Sequence, residues 1–280
     1  MPINARRHMK RMRGGAQAHL MEADDGHYYV VKFRNNPQHQ RILINELLAG
    51  EFLRFLGILT PVTSLIRVSE EFLRENPGVC IELGTKKTPV EPGWHFGSRH
   101  PASPGGLDRM AVYDYLPDSL LGAVANLSDF LGVLVFDKWI ANADARQCIF
   151  FRARLKEWRG GEDTHPLKLG FLGVMVDQGF VLNGPHWDFP ESPLQGLYSR
   201  TTVYGRVRSL DDFQPWLDQV RNFPEQIIDR AYRQVPPEWL EGEDDRLERV
   251  LETLMRRRKR VPDLLSAARQ APGNPFPSWT

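Results

Sequence analysis

Two aspartates and one lysine of this sequence have the spacing and surroundings that phosphoryl transfer requires. Asp144 lies in the polar turn of FDKWIANADARQCIFF, residues 136–151, and Asp177 follows the apolar run of VMVDQGF, residues 174–180. Both aspartates therefore lie at predicted strand–loop junctions on either side of one hairpin. In phosphoryl transfer one carboxylate orients the attacking hydroxyl and another holds magnesium against the phosphates. Lys32, on the predicted strand YYVVKF, would supply positive charge.

Each of these side chains also has a purely structural interpretation. A strand lysine is usually solvated, and an aspartate at the end of a helix or strand often caps a turn. Lys32 gains weight because Glu46 follows on a predicted helix, and a Lys–Glu ion pair positions the lysine of protein kinases. Glu51 is a competing partner. Asp137, with Asn142 five positions later, formally matches D-x-x-x-x-N, but we expect its side chain to remain in an apolar helix, away from the turn.

The segment GGAQAHL, residues 14–20, precedes the lysine strand. Gly14 and Gly15 permit positive φ, and successive backbone N–H groups could then surround phosphate oxygens. An ordinary glycine turn is the alternative. The sequence contains no GxxxxGK[ST] P-loop, no HExxH or paired CxxC zinc motif and no GxSxG nucleophile elbow. These absences argue against P-loop enzymes, zinc sites and serine hydrolases.

Composition favours a soluble intracellular protein. The 280 residues carry a formal charge of +1, so no global field favours nucleic acid or an acidic membrane. The basic runs at 6–13 and 256–260 are typical of solvated faces or termini. Cys80 and Cys148 have apolar neighbours, as expected for buried thiols in a reducing compartment. Because no secretory signal or membrane span is predicted, we expect a cytoplasmic location.

The elements that must position these residues form an α+β pattern. Apolar periodicity and turn signals predict a hairpin at 14–35, a helix at 38–57, strands at 61–68, 78–83, 148–154 and 168–176, an extended segment at 111–117, and helices at 118–141 and about 243–260. Residues 84–109 are expected to form a loop holding His95 and His100, with Ser98 and Arg99 as phosphate or substrate contacts. We predict one two-lobed domain over 1–280, with a small β-rich lobe at about 10–110, a hinge at about 111–118 and a larger helical lobe at about 119–265.

An ordered series of motifs resembles the HipA-like kinases, in particular their stand-alone bacterial branch. The motifs are GGAQAHL, YYVVKF, NELLAGEFLRFLGI, HFGSR, VYDYLP, FDKWIANADARQ, VDQGF and PPEW…LMRRRKRVPDLL, and they extend over about residues 11–265. The resemblance implies a two-lobed protein-kinase-like fold, distantly similar to phosphoinositide kinases, that uses ATP and magnesium.

The resemblance also implies roles for individual residues. They are Gly14, Gly15, Ala16 and Gln17 in the phosphate-covering loop, Lys32 as the ATP lysine with Glu46 as its partner, Val112, Tyr113, Asp114 and Tyr115 in the adenine-binding hinge, Asp144 as the catalytic aspartate, and Asp177 as the metal ligand. The sequence Asp-Gln-Gly at 177–179 then stands where kinases have Asp-Phe-Gly. These assignments predict an ATP-dependent phosphotransferase acting on a hydroxyl of a protein, lipid or small molecule.

One position departs from the family pattern. HipA-like members with known kinase chemistry carry an asparagine five positions after the catalytic aspartate, and here that position is Ile149. Gln147 could reach the metal instead, with Asn142 supporting the loop. If neither binds metal, the alternative is a nucleotide-binding pseudokinase that acts through a protein partner. A toxin-like component of a two-protein system is a third hypothesis.

Overall fold

The computed structural model describes residues 3–159 and 167–280. Its strands are β1 (Ile3–Arg11), β2 (His19–Ala23), β3 (Tyr28–Lys32), β4 (Thr63–Val68), β5 (Cys80–Leu83), β6 (Lys86–Pro89), β7 (Gly93–Arg99), β8 (Val112–Tyr113), β9 (Gln147–Arg154) and β10 (Leu169–Val176). Its α-helices are α1 (Arg41–Phe55), α2 (Glu70–Glu75), α3 (Asp118–Leu121), α4 (Asp129–Ile140), α5 (Leu155–Arg159), α6 (Trp216–Arg221), α7 (Glu225–Tyr232), α8 (Pro237–Leu240), α9 (Asp244–Arg257) and α10 (Val261–Gln270).

The first part of the chain forms a closed barrel with the strand order β1-β2-β3-β7-β4. Successive side chains of a strand point to opposite faces. Tyr29 and Val31 of β3 belong to the apolar cluster inside the barrel, with Ile66 of β4. Alternation therefore directs Val30 and Lys32 away from this interior. The predicted lysine strand is confirmed, and its register explains why the lysine is available for contacts outside the barrel.

Strands also form where the sequence did not predict them. The basic run at 6–13 lies largely in barrel strand β1, which pairs with β2 and β4. The predicted loop at 84–109 contains barrel strand β7 and also β6, which pairs with β5 in a separate two-stranded sheet. The loop prediction was wrong because GWHFGSR has glycines and polar residues that are typical of loops. Gly97 is needed in β7 because a Cβ there would collide with Ile66.

His95 also differs from its predicted loop position. It is fully buried in β7, where its Nδ1 accepts a hydrogen bond from the backbone N–H of Arg34 at 3.0 Å. Burial lowers the pKa of this imidazole to about 4. The ring is therefore neutral at neutral pH and has a structural role in the barrel.

A second sheet has the order β10-β9-β8. Gln147 lies opposite Val176, and Ile149 lies opposite Val174 in the antiparallel register of β9 and β10. The short strand β8 adds Val112 beside Phe151. The predicted strands at 148–154 and 168–176 and the extended segment at 111–117 are thus confirmed. The register also places Gln147 beside the residue that precedes Asp177.

The helical part of the chain is built on α1, α4 and the C-terminal helices. Phe52 of α1 and Trp139 of α4 contact the ring of Phe223, with ring centroids 5.3 Å and 4.7 Å from it. Helix α1 packs both on the barrel strands β4 and β7 and on α7 and α8. The α+β prediction, with a β-rich first part and a helical later part, is therefore confirmed, whereas the exact lobe boundaries remain a prediction.

Helix α4 is the most apolar helix predicted from the sequence, and it is buried nearly throughout. It has 12 residues, whereas a membrane-spanning helix needs about 20. Across residues 3–159 and 167–280, no helix combines the length and the apolar character that crossing a bilayer would require.

Candidate active site

Three charged residues that are far apart in the sequence meet beside the barrel. The Nζ atom of Lys32 lies 2.5 Å from Oε1 of Glu46 on α1 and 2.7 Å from Oδ1 of Asp177, which follows β10. The side chains of Lys32 and Glu46 are 9% and 4% exposed, whereas that of Asp177 is 37% exposed. The predicted Lys32–Glu46 pair is therefore present, and Asp177 joins it at the side that opens to solvent.

The three groups leave an excess of negative charge. Burial alone would lower the pKa of Lys32, but the carboxylates of Glu46 and Asp177 outweigh it and raise this pKa. Burial would raise the pKa of Asp177, but Lys32 outweighs it and holds this pKa below its usual value. Burial raises the pKa of Glu46 despite the nearby ammonium. The charged lysine thus keeps Asp177 ionised. Because the side chain of Asp177 is partly exposed, its carboxylate can also meet a cation.

The carboxylate of Asp177 could supply only part of a metal site. Among residues 3–159 and 167–280, no group of three or more His, Cys, Asp or Glu residues is arranged to hold a metal ion. Mg²⁺ is commonly bound by one or two carboxylates together with substrate phosphates and water. The donors present therefore fit a magnesium ion that arrives with a nucleotide better than one held by the protein alone.

The backbone around Asp177 is fixed by close packing against α1. Asp177 has a φ of 58°, in the left-handed region that few residues other than glycine adopt. Two positions later, a Cβ on Gly179 would lie 2.5 Å from Cγ2 of Ile42. Glycine therefore allows this segment to approach α1 closely enough for Asp177 to reach Lys32.

Asn45 of α1 holds the same segment through hydrogen bonds. It is fully buried, and its Nδ2 lies within hydrogen-bond distance of the carbonyl oxygens of Gly179, Val181 and Gly184. Its Oδ1 accepts a hydrogen bond from Nε1 of Trp187 at 2.9 Å. Since Glu46 is the next residue, Asn45 fixes the segment that carries Asp177 relative to the lysine's partner.

Asp144 lies exposed in the turn between α4 and β9. Its Oδ1 accepts a hydrogen bond from the backbone N–H of Ala145, and its Oδ2 lies 3.3 Å from Nε2 of Gln147. Asn142 is buried below this turn, where its Oδ1 accepts a hydrogen bond from the backbone N–H of Asp144. The geometry thus gives Asn142 a supporting position, while Asp144 and Gln147 lie together at the surface.

A buried ion pair connects this turn to the segment of Asp177. Asp137 of α4 accepts hydrogen bonds from Nε and Nη2 of Arg146, and both side chains are fully buried. It also accepts one from Nδ2 of Asn142 at 3.0 Å. The expectation that Asp137 stays away from the turn was therefore wrong. Asp137 lies near the end of α4, and the turn that follows the helix places Arg146 within hydrogen-bond distance of its side chain.

Arg146 extends this connection to Gln178. Its Nη1 lies 2.5 Å from Oε1 of Gln178, and Nε2 of Gln178 donates to the carbonyl of Met175 at 3.1 Å. Gln178 is the residue that stands where kinases have phenylalanine in Asp-Phe-Gly. Here it forms a polar link between the turn of Asp144 and the segment of Asp177.

The region from the barrel to this turn identifies the family. The family model for HipA-like kinases matches residues 6–149, which is more than half of the chain. The chain belongs to the HipA-like kinase family. The match includes Lys32, Glu46 and Asp144 and ends at Ile149. It confirms the resemblance that the sequence motifs indicated.

Solved structures similar to this chain include two of Golgi casein kinase. One, described as having Mn/ADP bound, is 10% identical, with 95% of this chain and 72% of that chain covered and a TM-score of 0.49. The other is 12% identical, with 96% and 72% covered and a TM-score of 0.46. At this level of similarity neither assigns a ligand or substrate to this chain. No match was found among curated protein sequences.

The predicted phosphate-covering loop joins β1 to β2. Gly14 has a φ of 118°, Gly15 is exposed and Ala16 is buried. The side chain of Gln17 bridges to β5, where its Nε2 donates to the carbonyl of Glu82 at 2.7 Å and its Oε1 accepts from the N–H of Glu82 at 2.8 Å. The side chain of Gln17 is thus held by the neighbouring hairpin, and its backbone N–H donates to the carbonyl of Gly14 at 3.2 Å. The phosphate-covering role of this loop remains a prediction.

The predicted hinge has an apolar and a polar part. Val112 packs with the apolar cluster on one face of the β8–β9–β10 sheet. Asp114 and Tyr115 are exposed, and the guanidinium of Arg200 lies 4.5 Å from the ring centroid of Tyr115. Tyr113 is 45% exposed, in the strand that pairs with β9. The apolar part of the hinge therefore lies against the sheet, and the polar part faces solvent.

Met110 joins the apolar surfaces of the barrel and the sheet. It packs against the cluster that contains Val30 and Leu20 outside the barrel, and against the cluster that contains Val112 and Ile149 on the sheet. A planar base could lie between two such apolar surfaces. A cleft of about 690 Å³ also opens beside Met110, but neither Lys32 nor Asp177 lines it.

Three further predicted contacts have different outcomes. Glu51 pairs with Arg54 and Arg230 at 2.6 Å and 3.1 Å rather than with Lys32. Ser98 lines a small recess together with Glu46 and Asp177. Arg99 instead lies 2.8 Å from a ring nitrogen of His27, at the far end of β3 from Lys32.

Proposed function

We propose that this HipA-like kinase is an ATP-dependent phosphotransferase that passes the γ-phosphate to a hydroxyl acceptor such as protein Ser or Thr. The observation that carries the proposal is the contact of Lys32 with Glu46 and Asp177, which lie 14 and 145 positions away in the sequence. A buried lysine held by a helical glutamate, beside an aspartate that can face metal, is the arrangement that positions ATP in kinases.

In this proposal Lys32 neutralises charge on the phosphates, and Glu46 keeps its ammonium group in place. Asp177 would hold Mg²⁺, with Gln147 as a second ligand and Asn142 supporting the turn that precedes Gln147. The magnesium ion supplies positive charge to the phosphate oxygens. The backbone of residues 14–17 covers the phosphates, while residues 112–115 meet the adenine.

Asp144 orients the acceptor hydroxyl and accepts its proton. Its exposure on the turn above Asn142 gives an acceptor access to its carboxylate. The buried Asp137–Arg146 pair fixes the turn, so little reorganisation is needed when the acceptor arrives. Catalysis then depends on positioning and on charges placed in advance.

The catalytic role is tested with Asp144→Asn in a phosphoryl-transfer assay that uses labelled ATP. We expect transfer to fall by about 100-fold or more, because acid–base catalysis commonly contributes that much. ATP affinity should not change, since Asp144 does not contact the Lys32 cluster. Asp211→Asn, at an exposed site on the surface, is the matched control. Undiminished transfer by Asp144→Asn would contradict the assignment.

A second function is supported by Ile149. This partly buried side chain lies opposite Val174 in the sheet, at the position where active relatives are expected to have a metal-binding asparagine. A pseudokinase that binds nucleotide and acts through a protein partner would not need that ligand. Tight ATP binding with no transfer to protein, lipid or small-molecule acceptors would favour this function over the first.

A further inference from the structure

A groove of about 490 Å³ runs between α7 and α9. Its lining residues are Glu225, Ile228, Asp229 and Tyr232 of α7, and Glu248, Leu251, Glu252, Met255 and Arg256 of α9. The positions follow the spacing i, i+3, i+4, i+7 in α7 and the same spacing extended to i+8 in α9, so in each helix they share one face. The groove is therefore formed by one continuous face of each helix.

The floor of the groove is apolar. Ile228 and Leu251 are 5% and 6% exposed, and Met255 is partly buried beside them. Methionine is unbranched and adapts its shape to a contacting surface. A concave floor of this kind can accept apolar side chains from another molecule.

The rim of the groove is acidic. Four carboxylates line it, and Arg256 is the single basic lining residue. Glu252 pairs with Arg256 at 3.9 Å, whereas Glu225, Asp229 and Glu248 form no ion pair with any part of the chain that the structure describes. Because the whole chain has a formal charge of +1, this negative charge is a local property of the groove.

We propose that the groove between α7 and α9 docks a lysine- or arginine-rich amphipathic segment of a protein partner. Apolar side chains on one face of that segment contact Ile228, Leu251 and Met255, and its cations pair with the acidic rim. Laying an amphipathic helix into an apolar groove is a recurring mode of peptide recognition. Complementary charge at the rim raises the association rate and excludes partners of the wrong charge.

One of the two helices that form the groove, α7, also supports the candidate active site. Helix α7 packs against α1, and Arg230 of α7 pairs with Glu51 of α1 at 3.1 Å. Helix α1 carries Glu46, the partner of Lys32. The docked segment would therefore be held close to the helical part of the site, although docking does not depend on phosphoryl transfer.

The proposal is tested by selecting displayed random peptides of about four helical turns against the full chain. A counter-selection uses the charge-reversed variant Asp229→Lys/Glu248→Lys. We expect the enriched peptides to have net positive charge and apolar residues three or four positions apart. Enriched peptides that lack positive charge, or that bind the reversed variant equally well, would overturn the proposal.

Fluorescence anisotropy measures the affinity of one enriched peptide for each variant. The comparison distinguishes binding in the groove from general electrostatic attraction to the protein surface. We expect binding at least about tenfold weaker for Asp229→Lys/Glu248→Lys. Binding should not change for Glu71→Lys/Glu75→Lys, which makes the same charge change on α2. Met255→Ser, which keeps the rim intact, should also weaken binding, and rising salt should weaken it for the native chain.

An alternative occupant, a second copy of this chain, would give a different result. The basic run at 256–260 of a second copy could enter the groove, and light scattering would then detect a dimer that Asp229→Lys/Glu248→Lys disperses. A dimer of this kind, or an equal loss of peptide binding in the α2 control, would overturn the proposal that the groove docks a separate protein partner. Thermal melts of all variants by circular dichroism establish that each is folded before binding is compared.

Discussion

Lys32 occupies surroundings that an ordinary strand lysine does not have. Its side chain is 9% exposed and lies between the carboxylates of Glu46 and Asp177. Buried lysines are rare unless they are paired. The pairing with Glu46 could be predicted because each residue lies in a clear strand or helix and their types match kinase chemistry. The supporting contacts of Asn45 and Gln178 could not be predicted, because their partners are backbone or buried groups brought near only by folding.

Ile149 is the residue on which the choice between kinase and pseudokinase depends. Gln147 and Ile149 share one face of β9, since strand side chains alternate, and Gln147 lies beside Asp144. We expect Ile149→Asn to strengthen Mg²⁺-dependent ATP binding by severalfold, because it adds an amide oxygen on that face. Calorimetric titration measures the effect. Ile149→Val is the control, and equal affinities for the Asn and Val variants would mean that this face does not meet the metal.

The strands of the barrel show where sequence patterns succeed and fail. The hairpin of β2 and β3 has an alternating apolar pattern and a DDG turn, and it was predicted. Strand β7 was not predicted, because its glycines and polar residues are typical of loops, although it pairs with both β3 and β4 and its close approach to Ile66 requires Gly97. Its two partner strands end at Val68 and Lys32, which are 25 and 61 positions before Gly93, so local sequence patterns do not show these pairings.

The buried Asp137–Arg146 pair gives an element-level prediction, because it joins α4 to β9 and to the segment after β10. Arg146→Met leaves a buried carboxylate without its cation, so we expect the free energy of unfolding to fall by about 3–5 kcal/mol. The double variant Asp137→Leu/Arg146→Met removes both charges and should recover much of that stability. Urea unfolding measures both effects. Equal losses in the single and double variants would mean that the pair is not coupled.

The barrel histidines predict a dependence of stability on pH. Burial, together with His8 and Arg11, lowers the pKa of His19 to about 4, and burial lowers that of His95 to about 4. In the unfolded chain a histidine has a pKa of about 6.5. The unfolded state therefore binds more protons between these values, and stability should be fully present above about pH 6.5 and fall as pH drops toward 4.

Urea unfolding between pH 7.5 and 4 tests this prediction with His19→Phe. His19 contacts Phe33, and its Nε2 has no hydrogen-bond partner in the described residues. Phenylalanine therefore removes only the contact of Nδ1 with Nε2 of His8 at 3.0 Å, and it should reduce the pH slope. His186→Phe, at an exposed position, is the control and should leave the slope unchanged. A native slope retained by His19→Phe would contradict the account.

The molecule as a whole is organised around α1. This helix packs on the barrel, on α7 and on the segment after Asp177, so it links the lysine strand to the helical part of the chain. Its length and apolar spacing made it predictable from the sequence. Its buried polar residues Asn45 and Glu46 then decide how the two parts fit together. This explains why Lys32, Glu46 and Asp177, which are far apart in the sequence, come together beside α1.

The convergence of Lys32, Glu46 and Asp177 is expected to form an ATP site that depends on Asp177. Calorimetric titration of ATP with and without Mg²⁺, together with thermal melts, compares the native chain with Asp177→Ala and with the surface control Asp211→Ala. A ligand that binds only the folded state raises the melting temperature by mass action. We predict Mg²⁺-dependent binding and stabilisation for the native chain and the control, both lost in Asp177→Ala. Absence of ATP binding to the native chain under any metal condition, or undiminished binding by Asp177→Ala, would contradict the claim.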